Sequence, residues 1–419
     1  MRKKILVAGA SVYALENISD DSMLYSWLME LSKRIDFKAT LICRHTKNYL
    51  NSYPINKMIP NLDFQSKKKS LNKRFFGFNQ GDKNNHLNNI IQNITKSDLL
   101  IIGGDPFIEI TLDNYRGILS YIEILTLLAR FTKTPVLLHG IHFGRPPQSK
   151  FAKDKMNFIL DNVTMVSTRS KQALKILSKI RPNKKRLDIL HTDDAYGLKC
   201  QTSKFLFKNR YPKFLSWINH ERKKNKKIIL LTIRTLYWTW TDKKRNSFIG
   251  EVAKFLNQLQ KAEKISYIFF PHCTYNKDNY WEDDRSGHNE IVKLLKKKDF
   301  FVFSERIEVS NIKNIFDSVD FVIGNRRHSG IFSAISEKPF MLFGEEKHVS
   351  GVYEDMGLNK KKLFLNYDQI NHIKLEKIYK KINRDKKILQ KIKIGIINNR
   401  NTFKNGIHKI SSYVKGIKK

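Results

Sequence analysis

Residues 324–329, Gly324-Asn325-Arg326-Arg327-His328-Ser329, put two guanidinium groups and an imidazole within six positions. Arginine offers forked, permanently charged donors that match phosphate and carboxylate. Histidine exchanges a proton near neutral pH. The hexapeptide follows an apolar run, Val319–Ile323, and leads into Ser329–Ile335, which is patterned as a helix. A helix opening at that point would turn its N-terminal amides toward the same anion. The expected chemistry is capture of an anionic group with acid–base help beside it.

Strands and helices must alternate to place these residues. Lys4–Ala10, Lys38–Cys43, Ser97–Gly104, Thr134–Gly140, Asn162–Ser167 and Leu187–Leu190 read as strands. Helical patterns lie between several of them, as in Met23–Leu31, where apolar residues recur at helical spacing. The pattern restarts after residue 225. Lys227–Ile233, Ile265–Phe270, Phe300–Phe303, Val319–Ile323 and Phe340–Phe343 read as a second set of strands. Alternation of this kind predicts parallel sheets in doubly wound domains. The expected architecture is α/β, with two Rossmann-like domains facing a cleft and a basic C-terminal helical tail. The expected boundaries are 1–200 for the first domain, 201–225 for a linker, 226–358 for the second domain and 359–419 for the tail. In such sheets ligands bind beyond the carboxyl ends of the strands.

Composition narrows the partners. The 419 residues carry 78 Lys and Arg against 39 Asp and Glu, a formal charge of +39. Residues 360–419 hold eighteen basic and three acidic residues, so +15 of that surplus sits in the tail. Nucleic acid, an anionic membrane face and anionic small substrates all fit a surface of that sign. Nucleic acid is not expected, because the chain shows no zinc finger, RNP-type aromatics or helix-turn-helix. The tail patterns Ile370, Ile373, Ile378, Ile382, Leu389 and Ile392 among lysines. That pattern fits docking to an anionic membrane, or packing onto the core with a solvated lysine face. The rest of the surplus accompanies an excess of Lys, Asn and Ile, the bias that AT-rich genomes produce. Ile118–Phe131 is too short and too polar to span a bilayer. The run Ile5–Ala10 is too short for a signal-peptide core. A cytoplasmic location is expected, with or without peripheral contact at the inner face of the membrane. Cys43, Cys200 and Cys273 are far apart and form no CxxC pair, which points to a reducing compartment and away from structural zinc. The twelve histidines make no metal motif, and the glycines form neither GxGxxG nor a P-loop. No metal and no nicotinamide cofactor are expected.

The segment GNRRHSGIFSAISEKPFMLFGEEKHVSGVYEDMGL, residues 324–358, resembles the C-terminal signature of the polysaccharide pyruvyl transferase family. Further resemblances follow in order along the chain. Asn17–Asp20 is similar to its early N-x-G-D loop, and Ser97–Gly104 to its strand ending in glycines. Val166–Arg169 is similar to its V-x-x-R helix start, and His191–Leu198 to its D-x-A-F segment. Phe270–His272 is similar to a family strand that ends in histidine. The chain departs from the pattern at Ser19, Asp105 and Arg327.

The resemblance implies a GT-B-like enzyme that moves the enolpyruvyl unit of phosphoenolpyruvate onto two hydroxyls of a sugar, as a cyclic ketal, with release of phosphate. The acceptor would be a cell-surface polysaccharide or its lipid-linked precursor. Phosphoenolpyruvate would be a substrate, and no cofactor is implied. On this basis His328 is the leading general acid/base and His272 a second proton-transfer group. Arg326, Arg327, Arg169, Arg234 and Lys347 are candidate donor contacts. Asp20, Trp281 and Asp283 are candidate acceptor contacts, with Trp281 or Trp238 stacking on a sugar face. Asp283 and Asp284 are adjacent, so a glycosidase-like pair of carboxylates across a bond is not supported. The same scaffold would also serve a glycosyltransferase using a nucleotide-sugar donor.

Overall fold

The computed structural model describes residues 2–9, 16–43, 53–61, 85–104, 118–142, 148–180, 186–199, 202–235, 240–274, 283–345 and 349–417. Asp105, Cys200, Trp238, Trp281 and Lys347 lie outside the described residues. The chain divides into two units. Residues 1–197 and 400–419 form the first, and residues 198–399 the second.

In the first unit, Lys3–Gly9 (β1), Phe37–Cys43 (β2), Lys57–Pro60 (β3), Leu99–Gly103 (β4), Val136–Ile141 (β5), Met165–Thr168 (β6) and Leu187–Leu190 (β7) form one sheet. The order is β3-β2-β1-β4-β5-β6-β7, and every pairing is parallel. Helices cover both faces of a parallel sheet, so its central strands must be apolar throughout rather than alternating. Ile5-Leu6-Val7-Ala8 and Leu99-Leu100-Ile101-Ile102 meet that demand and are fully buried. The expected strands are all present. The edge strand β3 falls in a polar stretch that reads from the sequence as loop and helix.

In the second unit, Lys227–Thr232 (β8), Ile265–Phe269 (β9), Phe300–Val302 (β10), Phe321–Gly324 (β11), Phe340–Gly344 (β12) and Leu365–Asn366 (β13) follow the order β10-β9-β8-β11-β12-β13. All pairings are again parallel. The chain builds outward from β8 through β9 and β10, then returns to the centre with β11 and builds the other way. The reversal lies between β8 and β11, the place where ligands dock in open α/β sheets.

The expected linker, 201–225, carries the helices Lys204–Arg210 and Pro212–Lys223. Phe214 is buried and packs edge-on to Phe301 and at 5.1 Å from Phe303, so this stretch contributes to the second unit's core. The expected tail divides. Residues 359–399 belong to the second unit, where Tyr379 is buried against Phe321 and its hydroxyl accepts from Lys227 Nζ at 2.9 Å. The last helix, Lys386–Gly416, begins in the second unit and its residues from Arg400 belong to the first. Its buried residues Phe403, Ile407, Ile410 and Val414 recur at helical spacing, the stripe expected of a helix packed on a core. Among the described residues, no helix is long and apolar enough to cross a membrane.

Two glycines set how closely the last helix approaches the first unit. A Cβ on Gly197 would lie 2.3 Å from the Phe403 ring, and a Cβ on Gly406 would lie 2.0 Å from His191 Nδ1. Gly406→Ala should therefore destabilise the full chain by about 1–3 kcal/mol through overpacking. Gly250→Ala lies in the helix Asp242–Ala262, where an added Cβ meets nothing within 4 Å. It should stabilise by about 0.5–1 kcal/mol. Urea unfolding midpoints of both variants test the contrast, and equal shifts would contradict the close approach.

Candidate active site

The reversal between β8 and β11 brings Arg234 and Arg326 to one strand edge. Asn325 ties the two loops together. Its Oδ1 accepts from the Arg234 backbone N–H at 2.7 Å, and its Nδ2 donates to the Arg234 carbonyl at 2.7 Å and to the Tyr367 hydroxyl at 3.2 Å. Both guanidinium charges lie close enough to act on the Tyr367 phenol. Burial raises its pKa, the two arginines pull against that rise, and the result is about 12.

Arg326 stands at the N-cap of the helix Arg327–Ile335 in extended backbone geometry. Its Nη2 donates to Asp284 Oδ1 at 2.5 Å. Burial opposes its positive charge, but the Asp284 carboxylate outweighs that and raises its pKa. Asp284 is itself buried and begins the helix Asp284–Leu294. Its Oδ2 accepts the backbone N–H groups of His272 at 2.8 Å and Cys273 at 3.0 Å. One carboxylate thus fixes both the arginine and the chain beyond β9. Arg326 Nε is buried and has no hydrogen-bond partner among the described residues, so the guanidinium keeps donor capacity beyond its ion pair.

His272 is buried and stacks on Phe332 at 5.4 Å with the rings 17° apart. Its Nε2 lies 3.3 Å from Ser329 Oγ, which also shares a short hydrogen bond with Thr232 Oγ1. Gly324 permits that contact, because a Cβ there would lie 2.1 Å from Thr232 Oγ1. His328 tilts against the same Phe332 ring at 5.8 Å, so the two expected proton-transfer residues flank one aromatic side chain. Burial, with the charge of Arg326 next, drives the His272 pKa well below its ordinary value. His272 is therefore a neutral imidazole at physiological pH, suited to hydrogen bonding and orientation.

The other expected contacts have partners of their own. Arg327 pairs with Asp355 at 2.9 Å. Asp283 caps the helix Asp284–Leu294 and is paired with Arg285, which occupies its carboxylate. In the first unit, Arg169 donates to Asp193 at 3.3 Å and reaches Met23 Sδ at 3.7 Å. That contact puts it against the helix Ile18–Ser32, whose first turn holds Asp20. Reading by residue type and position missed Asp284, Ser329, Thr232 and Tyr367 as parts of the site. The sequence signal for Asp284 is slight, since it is one of two adjacent acidic residues twelve positions beyond His272.

The architecture is shared with solved structures of GT-B-fold proteins. S. aureus MnaA bound to UDP is 13% identical with a TM-score of 0.62, covering 99% of this chain and 97% of that one. A UDP-N-acetylglucosamine 2-epimerase described as putative, from Listeria monocytogenes, is 10% identical with a TM-score of 0.63, covering 99% and 97%. A UDP-forming trehalose-phosphate synthase from Burkholderia vietnamiensis is 11% identical with a TM-score of 0.58, covering 99% and 100%. At such identities the likeness establishes the fold alone. A family model for polysaccharide pyruvyl transferase matches residues 20–347, and the chain belongs to that family. No curated protein matches the sequence.

The buried imidazoles give the second unit a pH dependence. Burial, partly offset by Asp284, lowers the His288 pKa from 6.5 to about 4, and that of His272 is also held well below its ordinary value. Both stay neutral in the folded protein and take up a proton on unfolding. Between pH 6.5 and about 4 the unfolded chain holds more protons, so stability is full above that window and is lost as pH falls through it. Urea midpoints measured across the window should decline, and His288→Gln should flatten the decline. A slope identical in the variant would remove His288 from this account.

Proposed function

We propose that the chain transfers the enolpyruvyl unit of phosphoenolpyruvate to a sugar of a cell-surface polysaccharide or its lipid-linked precursor. Membership of the family supports this reading. The observation that carries it is the convergence of Arg234, Arg326 and the start of the helix Arg327–Ile335 at the β8/β11 reversal, beside His272 and His328. Phosphoenolpyruvate presents a carboxylate and a phosphate, and fixed guanidinium groups in a partly buried setting suit both.

The reaction balances without a redox carrier. The C3 methylene takes a proton and becomes methyl, which leaves C2 oxocarbenium-like. One sugar hydroxyl adds to C2 and loses its proton, the C2–O bond to phosphate breaks, and a second hydroxyl closes the ketal. Of the two hydroxyl protons, one balances the proton on C3 and the other leaves with phosphate. In this proposal Arg326 and Arg234 hold the donor's anionic groups, His328 moves the proton, and neutral His272 orients the site through Ser329. Arg327, paired with Asp355, positions its helix. Arg169, Lys347, Asp20 and Trp281 are kept as proposed substrate contacts to be tested by substitution. Lysine-rich C-terminal helices with exposed Ile373, Ile394 and Ile397 support a cytoplasmic enzyme resting on an anionic membrane, where lipid-linked glycans would be at hand.

The test is incubation with phosphoenolpyruvate and lipid-linked or synthetic glycans. Phosphate release should accompany a mass gain of one pyruvate ketal on the glycan. His328→Ala should lower turnover by about 10²–10⁴-fold while circular dichroism shows the fold retained. Nucleotide release from a nucleotide-sugar, with phosphoenolpyruvate inert, would replace this reading with glycosyl transfer.

A further inference from the structure

The first unit holds a second cluster of chemically capable side chains, outside the site described above. His139 lies in β5, His191 directly follows β7, and Asp194 opens the turn Asp194–Gly197. Asp194 Oδ2 lies 2.8 Å from His139 Nε2, and its Oδ1 lies 2.7 Å from His191 Nε2. The side chains of His139, Asp194 and His191 are 2%, 4% and 0% exposed. Among the described residues, no Lys or Arg makes an ion pair with Asp194. Its carboxylate is therefore out of water with two imidazoles as its partners.

From this geometry we infer that His139, His191 and Asp194 bind a divalent transition metal, with Zn²⁺ the best match. Two imidazole nitrogens and a carboxylate oxygen form a donor set that zinc accepts, with water or the second carboxylate oxygen in the fourth position. One ligand atom from each residue lies within 4.8 Å of the others, so a small inward shift of the side chains would bring all three within bonds of about 2.0–2.2 Å to one ion. A partner on the far ring nitrogen is also in place. Ser167 Oγ lies 3.0 Å from His139 Nδ1 and is held by the Gly140 N–H at 2.9 Å. A serine oxygen that accepts the Nδ1 proton would turn the Nε2 lone pair toward the metal, the outer hydrogen bond typical of metal-bound histidines, whereas the far nitrogen of His191 has no partner among the described residues.

The surroundings enclose the cluster. Trp27 lies 5.2 Å from His139, and Phe403 of the last helix lies 5.6 Å from His191. Gly406 closes over the Nδ1 side of His191. The metal would join β5, the end of β7 and the turn beneath the helix that covers them. This inference is independent of the pyruvyl-transfer reading, since none of its residues belongs to the site in the second unit.

The experiment uses the full chain, stripped with a chelator and titrated with Zn²⁺ by calorimetry, with Co²⁺ as a spectroscopic probe. About one equivalent should bind per chain with release of protons, and thermal stability should rise with metal concentration. His139→Gln and Asp194→Asn should each weaken binding by about 100-fold or more, and Ser167→Ala by about 10-fold. The exposed His220→Gln should leave it unchanged. If Asp194→Asn fails to fold, His139→Gln and Ser167→Ala carry the test. A wild-type chain that binds no Zn²⁺, or Co²⁺ spectra and affinities unchanged in His139→Gln and Ser167→Ala, would establish a purely hydrogen-bonded cluster and overturn the inference.

Discussion

The second unit's site depends on one buried carboxylate. Asp284 has two oxygens and serves three donors, the guanidinium of Arg326 and the backbone N–H groups of His272 and Cys273. The ion pair keeps a strong cation charged where burial alone would disfavour it. The two backbone bonds fix the direction in which the chain leaves β9, and so the place of the His272 ring. Removing such a carboxylate would leave an uncompensated arginine and two unsatisfied amides, which is far costlier than losing a surface ion pair. The arginine, the neutral histidine and the helix behind them therefore form a rigid group, and Asn325 extends it across to Arg234.

Much of the fold was legible because parallel strands covered on both faces must be continuous apolar runs. Lys4–Ala10, Ser97–Gly104, Lys227–Ile233 and Val319–Ile323 all satisfy that rule and all became strands. The rule weakens at sheet edges, where strands are short and half exposed. Lys57–Pro60 and Leu365–Asn366 went unread for that reason. The basic stretches 201–225 and 359–419 follow another rule. Their lysines dominate the composition, while sparse residues such as Phe214, Tyr379 and Phe403 supply the burial. Each lies on the buried stripe of its own helix, and its partners are set by tertiary contacts that no local pattern encodes.

The site was legible where chemistry sits at strand ends. Arg326 and His328 were singled out by type and position and His272 and Arg234 through the family resemblance, and all four lie at or just beyond the carboxyl ends of neighbouring strands of one sheet. Neighbours in sequence were poorer guides. Arg327 adjoins Arg326 but turns to Asp355, and Asp283 adjoins Asp284 but serves as a helix cap. The His139–Asp194–His191 cluster was invisible to motif reading. Its two histidines are fifty-two positions apart, and only the parallel pairing of β5, β6 and β7 brings them together.

The charge of +39 also takes a more definite form. Part of it is committed to ion pairs that shape the units, as with Arg326, Arg327 and Arg285. Another part covers the solvent face of C-terminal helices whose other faces are buried. What sets the site apart is a guanidinium anchored on one side by a buried carboxylate and retaining an unfilled donor on the other. Direct binding of phosphoenolpyruvate, measured by calorimetry on the wild-type chain and on Arg326→Gln, tests that claim most directly. Wild-type should bind phosphoenolpyruvate, and the folded variant about 10–100-fold more weakly, the loss expected for a charge-assisted hydrogen bond of about 1.5–3 kcal/mol. Equal affinity in the two proteins would contradict it.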